Sequence, residues 1–111
     1  MAATVTPWPG VGRVKSVGNM TTQRIYVSGR VQAVGYRDWA VRTAKAHALI
    51  GWVRNLRDGR VEMFAAGDDE ALTRFTEACR RGPELARVEH VEAYEAAEEK
   101  QVKGFTKRFT A

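Results

Sequence analysis

The sequence predicts an α+β domain in which two helices pack on one face of an antiparallel sheet. Three observations support this prediction. Two segments have apolar residues at helical spacing, four others alternate as strands do, and the helical segments lie between strands. With 111 residues, 44% of them hydrophobic and 28% charged, the chain has the size and composition of one globular domain.

The first 21 residues stand apart from this pattern. They show neither helical nor strand periodicity, and they contain two of the 3 prolines of the chain. We expect a flexible N-terminal extension over residues 1–21 and a folded domain over residues 22–111.

The first strand and the first helix follow. From Gln23 onward, Ile25 and Val27 alternate with polar neighbours and predict a strand. A helix is predicted from Arg37 to about Ala48, and Gly51 is expected to end this segment. The stripe of this helix that should face the core consists of Trp39, Ala40, Thr43, Ala44, His47 and Ala48.

A hairpin and a second helix come next. The segment "GWVRNLRDGRVEMFAAG" contains two extended runs joined at Asp58-Gly59, a strong hairpin signal. We expect its first arm to lie beside the first strand. The second helix is expected to be capped by Asp68 or Asp69 and to end at Gly82-Pro83, with Leu72, Phe75 and Cys79 buried.

The last segments complete the order of elements. "ARVEHVEAYEAA" predicts a fourth strand with Val91 and Ala93 at apolar positions. Residues 95–103, rich in Glu and Lys, are expected to form an exposed turn. "GFTKRFT" predicts a short final strand with Phe105 and Phe109 on one face. The order β-α-β-β-α-β with a short extra C-terminal strand is that of the ferredoxin-like sandwich.

Charge and cysteine content limit the class of partner. The net charge is +5, of which residues 1–20 contribute +2, leaving a mildly basic domain suited to a small anion as well as to a polyanion. No apolar run approaches the length of a membrane span, so no membrane partner is expected. The single Cys79 excludes an internal disulfide framework, and a reducing, cytoplasmic setting is expected.

The junction "GRVQAVGYRDW" between the first strand and the first helix is the first candidate site. A loop with Gly29 and Gly35 can curl so that successive N–H groups converge on an anion at the helix N-terminus. Arg37 falls in the first helical turn, where the dipole disfavours a cation, but its planar fork suits two phosphate oxygens. Spacing alone leaves open a tight turn followed by an arginine paired with a nearby carboxylate.

Asn55, shortly before the hairpin turn, is the second candidate. Its amide could hold a water with the carbonyl oxygen while the NH₂ group reaches a substrate. An asparagine that only serves the turn remains the alternative. With two distant histidines and one cysteine, a nucleophilic triad or a zinc site is disfavoured.

These motifs resemble the acylphosphatase family of small enzymes, which hydrolyse the carboxyl–phosphate bond of acyl phosphates. "GRVQAVGYR" and "GWVRNLRDGRVE" carry the resemblance, together with "GDDEALTRF" and the closing "GF-x-x-RF", over roughly residues 23–109. The chain departs from the family at Ala33, where the family usually has glycine.

The resemblance implies roles for particular residues. Arg37 would bind the phosphoryl group, and Asn55 would orient the attacking water. The backbone cradle would be formed by Val31, Gln32, Ala33, Val34, Gly35 and Tyr36. We also consider Arg30 as an electrostatic helper at the rim. No metal or other cofactor is expected, inorganic phosphate should be both product and competitive inhibitor, and a monomer is expected.

Three other functions share this fold class. A nucleic-acid-binding module would need exposed aromatics on the central strands, where the chain offers only Tyr26 and Phe64 beside Glu62. A regulatory ligand-binding domain would not explain Arg37 and Asn55 together. An acylphosphatase-like domain of a larger carbamoyl-transfer protein is the third alternative, and fold alone does not separate these functions.

Overall fold

The computed structural model describes residues 20–99 and 102–111, which form five strands and two helices. In chain order these are β1 (Met20–Arg30), α1 (Tyr36–Ala46), β2 (Ile50–Asn55), β3 (Val61–Asp68), α2 (Asp69–Cys79), β4 (Arg87–Glu95) and β5 (Phe105–Lys107). The predicted hairpin is present, with β2 and β3 joined by a turn that contains Asp58 and Gly59. The predicted ferredoxin-like α+β architecture is confirmed.

The five strands form one sheet in the order β4-β1-β3-β2-β5. The first four are antiparallel neighbours, as predicted. The short strand β5 differs, because it pairs parallel to β2, with Lys107 opposite Val53. The sheet is therefore mixed, and β5 extends it beside the strand that carries Asn55.

The expectation that the first arm of the hairpin lies beside the first strand is wrong. The second arm, β3, pairs with β1, with Ile25 opposite Met63, and β2 lies on the far side of β3. The crossover through α1 leaves a gap of one strand between β1 and β2, and the hairpin fills this gap with β3. Both β1 and β2 nevertheless end near the start of α1.

Side chains alternate between the two faces of the sheet. On the helix side they form the main core with α1 and α2, which includes the fully buried Val53, Met63 and Phe75. On the other face Trp52, Phe64 and Ala66 form a second buried cluster. Ala96 and Val102 pack against this cluster, so residues 95–103 are not simply the exposed turn that we expected.

Several predicted boundaries shift. Helix α1 ends at Ala46, and Gly51 lies inside β2, where a Cβ atom would be only 1.8 Å from the carbonyl oxygen of Phe64. Gly51 is therefore required by close approach of the backbone rather than by a helix end. Ala93 is exposed, and Phe109 lies beyond β5 with 95% of its surface exposed, so neither is a core residue.

Strand β1 begins at Met20, two residues before the predicted start of the domain. The rest of the predicted N-terminal extension, residues 1–19, lies outside the described residues. Among the residues that the structure describes, no helix is both long and apolar enough to cross a membrane.

Candidate active site

A pocket of about 180 Å³ lies at the edge of the sheet where β1 leads into α1 and where β2 and β5 end. It brings together residues that are far apart in the sequence. Its walls are formed by Val31, Ala33, Gly35, Tyr36, Arg37, Asp38, Asn55 and Lys107. The two residues that the sequence predicted as functional, Arg37 and Asn55, therefore face the same small space.

The loop of residues 31–35, which the sequence predicts to be an anion cradle, turns sharply before α1. Ala33 and Gly35 both have positive φ angles, 63° and 81°, which turn the chain sharply before the helix. Within the described residues, none of the backbone hydrogen bonds outside helices and strands is donated by an N–H group of this loop. These N–H groups are therefore available to an anion in the pocket.

The N-terminus of α1 continues this cradle. Gly35 is its N-cap residue and provides no side-chain cap, whereas the carboxylate of Asp68 caps α2 by accepting hydrogen bonds from the N–H groups of Glu70 and Ala71. The first N–H groups of α1 have no partner within the helix and carry its positive dipole end. The uncapped end of α1 thus adds to the attraction for an anion.

Arg37 is held at the pocket by the C-terminal part of the chain. It is half-buried, and its Nη1 atom donates a hydrogen bond to the carbonyl oxygen of Arg108, at 3.2 Å. No carboxylate of the described residues forms an ion pair with Arg37. This geometry argues against an arginine that merely pairs with a nearby acid and leaves part of its guanidinium for a ligand.

Asn55 contributes an unsatisfied acceptor. Its Oδ1 atom is buried and has no hydrogen-bond partner among the described residues. A buried carbonyl oxygen without a partner costs free energy, so such atoms are rare in folded proteins. Because Asn55 also lines the pocket, its side-chain amide is suited to bind a water molecule or a substrate group there.

Three other predicted cradle residues, Gln32, Val34 and Tyr36, contact neighbouring elements and so hold the loop in place. The Nε2 atom of Gln32 donates hydrogen bonds to the carbonyl oxygens of Leu56 and Arg60, at 2.7 and 2.9 Å. The hydroxyl of Tyr36 donates to the carbonyl oxygen of Cys79, at 2.7 Å, and ties the start of α1 to the end of α2. Val34 is half-buried and packs against the main core.

Arg30 is not among the residues that line the pocket. It is the last residue of β1, lies opposite Arg87 of β4, and is exposed. Its role as a helper at the rim stays a prediction.

Sequence reasoning missed two residues that line the pocket, Asp38 and Lys107. The Nζ atom of Lys107 lies 2.8 Å from Oδ1 of Asp38. The hydrogen bond and the positive charge of Lys107 lower the pKa of Asp38 below its ordinary value. Lys107 follows Phe105 by two residues, so strand alternation predicts that both side chains lie on the same face of β5. Nothing in the sequence, however, predicts that β5 pairs with β2.

The described residues contain no group of three His, Cys, Asp or Glu side chains arranged to hold a metal ion. The positive charge at the pocket comes from Arg37, Lys107 and the N–H groups of the backbone.

Two aromatic side chains on the open face of the sheet, Phe64 and Trp52, are covered by other side chains. Phe64 and Trp52 are only 1% and 2% exposed. The guanidinium groups of Arg54 and Arg108 lie 4.8 and 4.6 Å from the centre of the Trp52 ring. Because these aromatic rings are covered, bases could not stack on them.

Fold and pocket together define a small α+β sandwich with a basic pocket at the uncapped start of its first helix. Comparisons with known proteins make this class specific. The model of the family described as Acylphosphatase matches residues 23–107, and the chain therefore belongs to the acylphosphatase family.

Individual relatives agree with this assignment. A protein of Acidiphilium cryptum named Acylphosphatase is 49% identical over 92 residues, which cover 82% of this chain and 99% of that protein. The structure of an acylphosphatase from Coxiella burnetii is similar with a TM-score of 0.77 and 36% identity, covering 81% of this chain and 94% of that one. The crystal structure of HypF from T. kodakarensis is similar with a TM-score of 0.71 and 34% identity, and the match covers 79% of this chain and 12% of that one.

Proposed function

We propose that Arg37 and Asn55 carry out the activity that family membership indicates for this chain, the hydrolysis of acyl phosphates to a carboxylate and inorganic phosphate. In this proposal Arg37 and the N–H groups of residues 31–36 bind the phosphoryl group, and Asn55 orients the attacking water. The observation that carries the proposal is that Arg37 and Asn55, which are far apart in the sequence, line one pocket.

Phosphoryl binding follows from the charges at the pocket. Charge in phosphoryl transfer is spread over the equatorial oxygens, so a planar guanidinium and several backbone N–H groups can each bind one of them. These donors are already oriented by the loop and by the hydrogen bond from Arg37 to Arg108, so little reorganisation is required during the reaction.

Water positioning falls to Asn55. Its side-chain amide can form a hydrogen bond with a water molecule in the pocket and direct the oxygen of that water toward phosphorus. An amide cannot remove a proton at neutral pH, so its contribution is orientation rather than general base catalysis.

The chemistry needs few groups because the leaving group is good. A carboxylate has a conjugate acid with a pKa of roughly 4, so it can leave without being protonated. The bond between phosphorus and the carboxyl oxygen breaks, and the electron pair remains on the carboxylate. The water oxygen becomes the fourth oxygen of phosphate and keeps one proton, while the second proton passes to another phosphoryl oxygen, so that the products are a carboxylate and H₂PO₄⁻. Neither a general acid nor a metal ion is required by this scheme.

The direct test is turnover of an aromatic acyl phosphate by the purified chain, followed by absorbance with and without a chelator. We expect Arg37→Lys and Arg37→Ala to lower kcat/KM by about 10³-fold or more, because a lysine keeps the charge but not the fork. Arg42→Ala is the matched control, since Arg42 is an exposed arginine elsewhere on α1. Near-normal kcat/KM in a folded Arg37→Ala protein would contradict the role of Arg37.

Asn55→Ala separates the two roles. If Asn55 only orients water, kcat should fall by about 10²-fold while inorganic phosphate binds with unchanged affinity in isothermal titration. Phosphate should bind weakly or not at all to Arg37→Ala. Equal losses of phosphate affinity in the two variants would assign Asn55 to the cradle instead.

The proposal also covers partners and location. Inorganic phosphate, as product, should compete with substrate for the cradle, and the chain should act as a monomer. A cytoplasmic location fits the lone Cys79, which is buried as a free thiol.

A further inference from the structure

Lys107 and Asp38 form an ion pair within the pocket that the roles above do not use. Lys107 is the last residue of β5, and strand alternation puts it on the same face as the buried Phe105, toward α1. Its ammonium reaches Oδ1 of Asp38, in the first turn of α1, at 2.8 Å. The two side chains are 45% and 62% exposed, so the pair lies at the mouth rather than at the bottom of the pocket.

The charges at the pocket favour a function for this lysine. Three charged side chains line it, Arg37, Lys107 and Asp38, and they sum to +1. A phosphoryl group alone brings about −1.5 to −2 at neutral pH. Without Lys107 the lining would sum to zero, and the carboxylate of Asp38 would repel the substrate.

The small volume of the pocket determines which part of the substrate Lys107 can reach. The pocket holds about 180 Å³, and the inner donors, Arg37 and the loop N–H groups, suit the phosphoryl oxygens. The acyl group must therefore extend through the mouth, past Lys107. A compact ammonium with three donors suits a carboxyl oxygen in that position.

We propose that Lys107 is a catalytic residue whose ammonium donates a hydrogen bond to the carboxyl oxygen that leaves phosphorus, and that Asp38 is a positioning residue that holds Lys107 there. This inference rests on the proposed function. As the bond between phosphorus and oxygen breaks, the electron pair and the growing negative charge remain on the carboxylate. Lys107 keeps its protons throughout and stabilises this charge electrostatically.

The test compares leaving groups. A series of substituted benzoyl phosphates, whose benzoic acids differ in pKa, is assayed with the natural chain and with Lys107→Met. We expect roughly a tenfold loss of kcat/KM in the variant for the poorest leaving group, a smaller loss for the best, and thus a steeper dependence on leaving-group pKa. Lys107→Arg should restore most of the activity. Lys103→Met is the matched control, because it removes an exposed lysine of the same segment that does not line the pocket.

A double variant separates direct action from simple neutralisation of Asp38. If Lys107 acts on the leaving oxygen, Lys107→Met combined with Asp38→Asn should keep the steeper dependence. Full recovery in the double variant, or a Lys107→Met slope parallel to that of the natural chain, would overturn the proposal. Absence of any turnover by the natural chain would instead contradict the proposed function itself, and thermal unfolding of each variant confirms that it is folded.

Discussion

At the scale of single residues, two alanines occupy backbone conformations that favour glycine. Ala33 and Ala48 have φ angles of 63° and 58°. Ala48 follows α1 in a Schellman arrangement, with the N–H group of Leu49 bonded to the carbonyl oxygen of Ala44, at 3.0 Å. Ala33 has no helix end to serve, and its conformation bends the cradle. The methyl group of each residue crowds the neighbouring carbonyl oxygen.

Replacing either alanine by glycine should therefore stabilise the protein. We expect Ala33→Gly and Ala48→Gly each to raise the free energy of unfolding by up to about 1 kcal/mol, since relief of strain exceeds the extra entropy of glycine in the unfolded chain. Only Ala33→Gly should also alter phosphate affinity, because Ala33 lines the pocket. Thermal unfolding and phosphate titration measure the two effects. A loss of stability in Ala33→Gly alone would show that the cradle is not strained.

At the scale of elements, the side chain of Gln32 joins the cradle to the β2–β3 hairpin. Its two hydrogen bonds end on Leu56 and Arg60, on either side of the hairpin turn, and Asn55 immediately precedes Leu56. The side-chain amide of Gln32 thus connects the loop that should bind phosphate with β2, the strand whose Asn55 should position water. We infer that Gln32 fixes the spacing between these two parts of the site.

Gln32→Ala should lower activity without unfolding the domain. We expect kcat/KM to fall about tenfold, because two hydrogen bonds of about 1 kcal/mol each are lost and the loop can drift relative to Asn55. Gln23→Ala is the control: Gln23 accepts a hydrogen bond from Thr76, at 3.3 Å, on the α2 side of β1, and its loss should leave kcat/KM unchanged. Equal values of kcat/KM in the two variants would show that Gln32 does not position the site.

At the scale of the whole molecule, a carboxylate on the open face of the sheet connects three strands. Glu62 of β3 is 4% exposed and accepts hydrogen bonds from Arg54 of β2, at 2.7 Å, and from Arg24 of β1, at 3.0 Å. Burial raises the pKa of Glu62, but the hydrogen bonds from Arg54 and Arg24 outweigh burial, and the pKa is lowered overall. The ionised form is therefore the one that the fold stabilises.

This shift predicts loss of stability in acid. Because the pKa of Glu62 is lower in the folded than in the unfolded chain, its contribution is complete above the unfolded value of about 4.3 and disappears as pH falls through the folded value. Glu62→Gln should destabilise the protein by about 2 kcal/mol at pH 7 and progressively less below pH 4, because it removes charge-assisted hydrogen bonds from two partly exposed arginines. Glu70→Gln, which breaks an exposed pair with Arg74, should change stability by less than about 1 kcal/mol. Denaturant unfolding at several pH values measures both, and an equal loss in Glu62→Gln at pH 3 and pH 7 would contradict the argument.

The thiol of Cys79 should report unfolding of the entire domain. Cys79 is 0% exposed, and burial raises its pKa to about 12. A thiol reagent at pH 8 should therefore not label the native protein, and labelling should increase only as denaturant populates the unfolded state. Tyr36→Phe, which removes the hydrogen bond to the carbonyl oxygen of Cys79, should shift labelling to lower denaturant. Rapid labelling without denaturant would show local opening around α2.

Secondary structure was predicted best where apolar residues repeat with one period along a whole segment or where a specific turn sequence occurs. The stripe of Leu72, Phe75 and Cys79 predicted α2 correctly, and Asp58-Gly59 located the hairpin turn. Arg37 and Asn55 could be singled out because each conflicts with the preference of its own element. The position of β3 between β1 and β2 could not be predicted locally, because strand order depends on contacts between segments far apart in the chain.

Lys107 could not be predicted for a related reason. A half-exposed lysine near the end of a short strand has no distinctive local pattern, and only the parallel pairing of β5 with β2 brings it to the pocket. Likewise, alternation in β2 predicts that Trp52 and Val53 face opposite sides, but not that Ala96 and Val102 pack against the buried cluster to which Trp52 belongs. Such contacts depend on the path of the connecting segments.

The place of β1 in the sheet has a consequence for synthesis of the protein. A ribosome releases β1 first, yet both neighbours of β1 come later, β3 ending at Asp68 and β4 ending at Glu95. Synthesis proceeds at about 5–20 residues per second, so β1 has no strand paired with either edge for several seconds. During that time its backbone N–H and C=O groups could pair with a strand of another chain. The pairing of β1 with β3 thus becomes possible only when most of the chain has emerged. While β1 is unpaired, the nascent chain is most accessible to chaperones and most prone to aggregate.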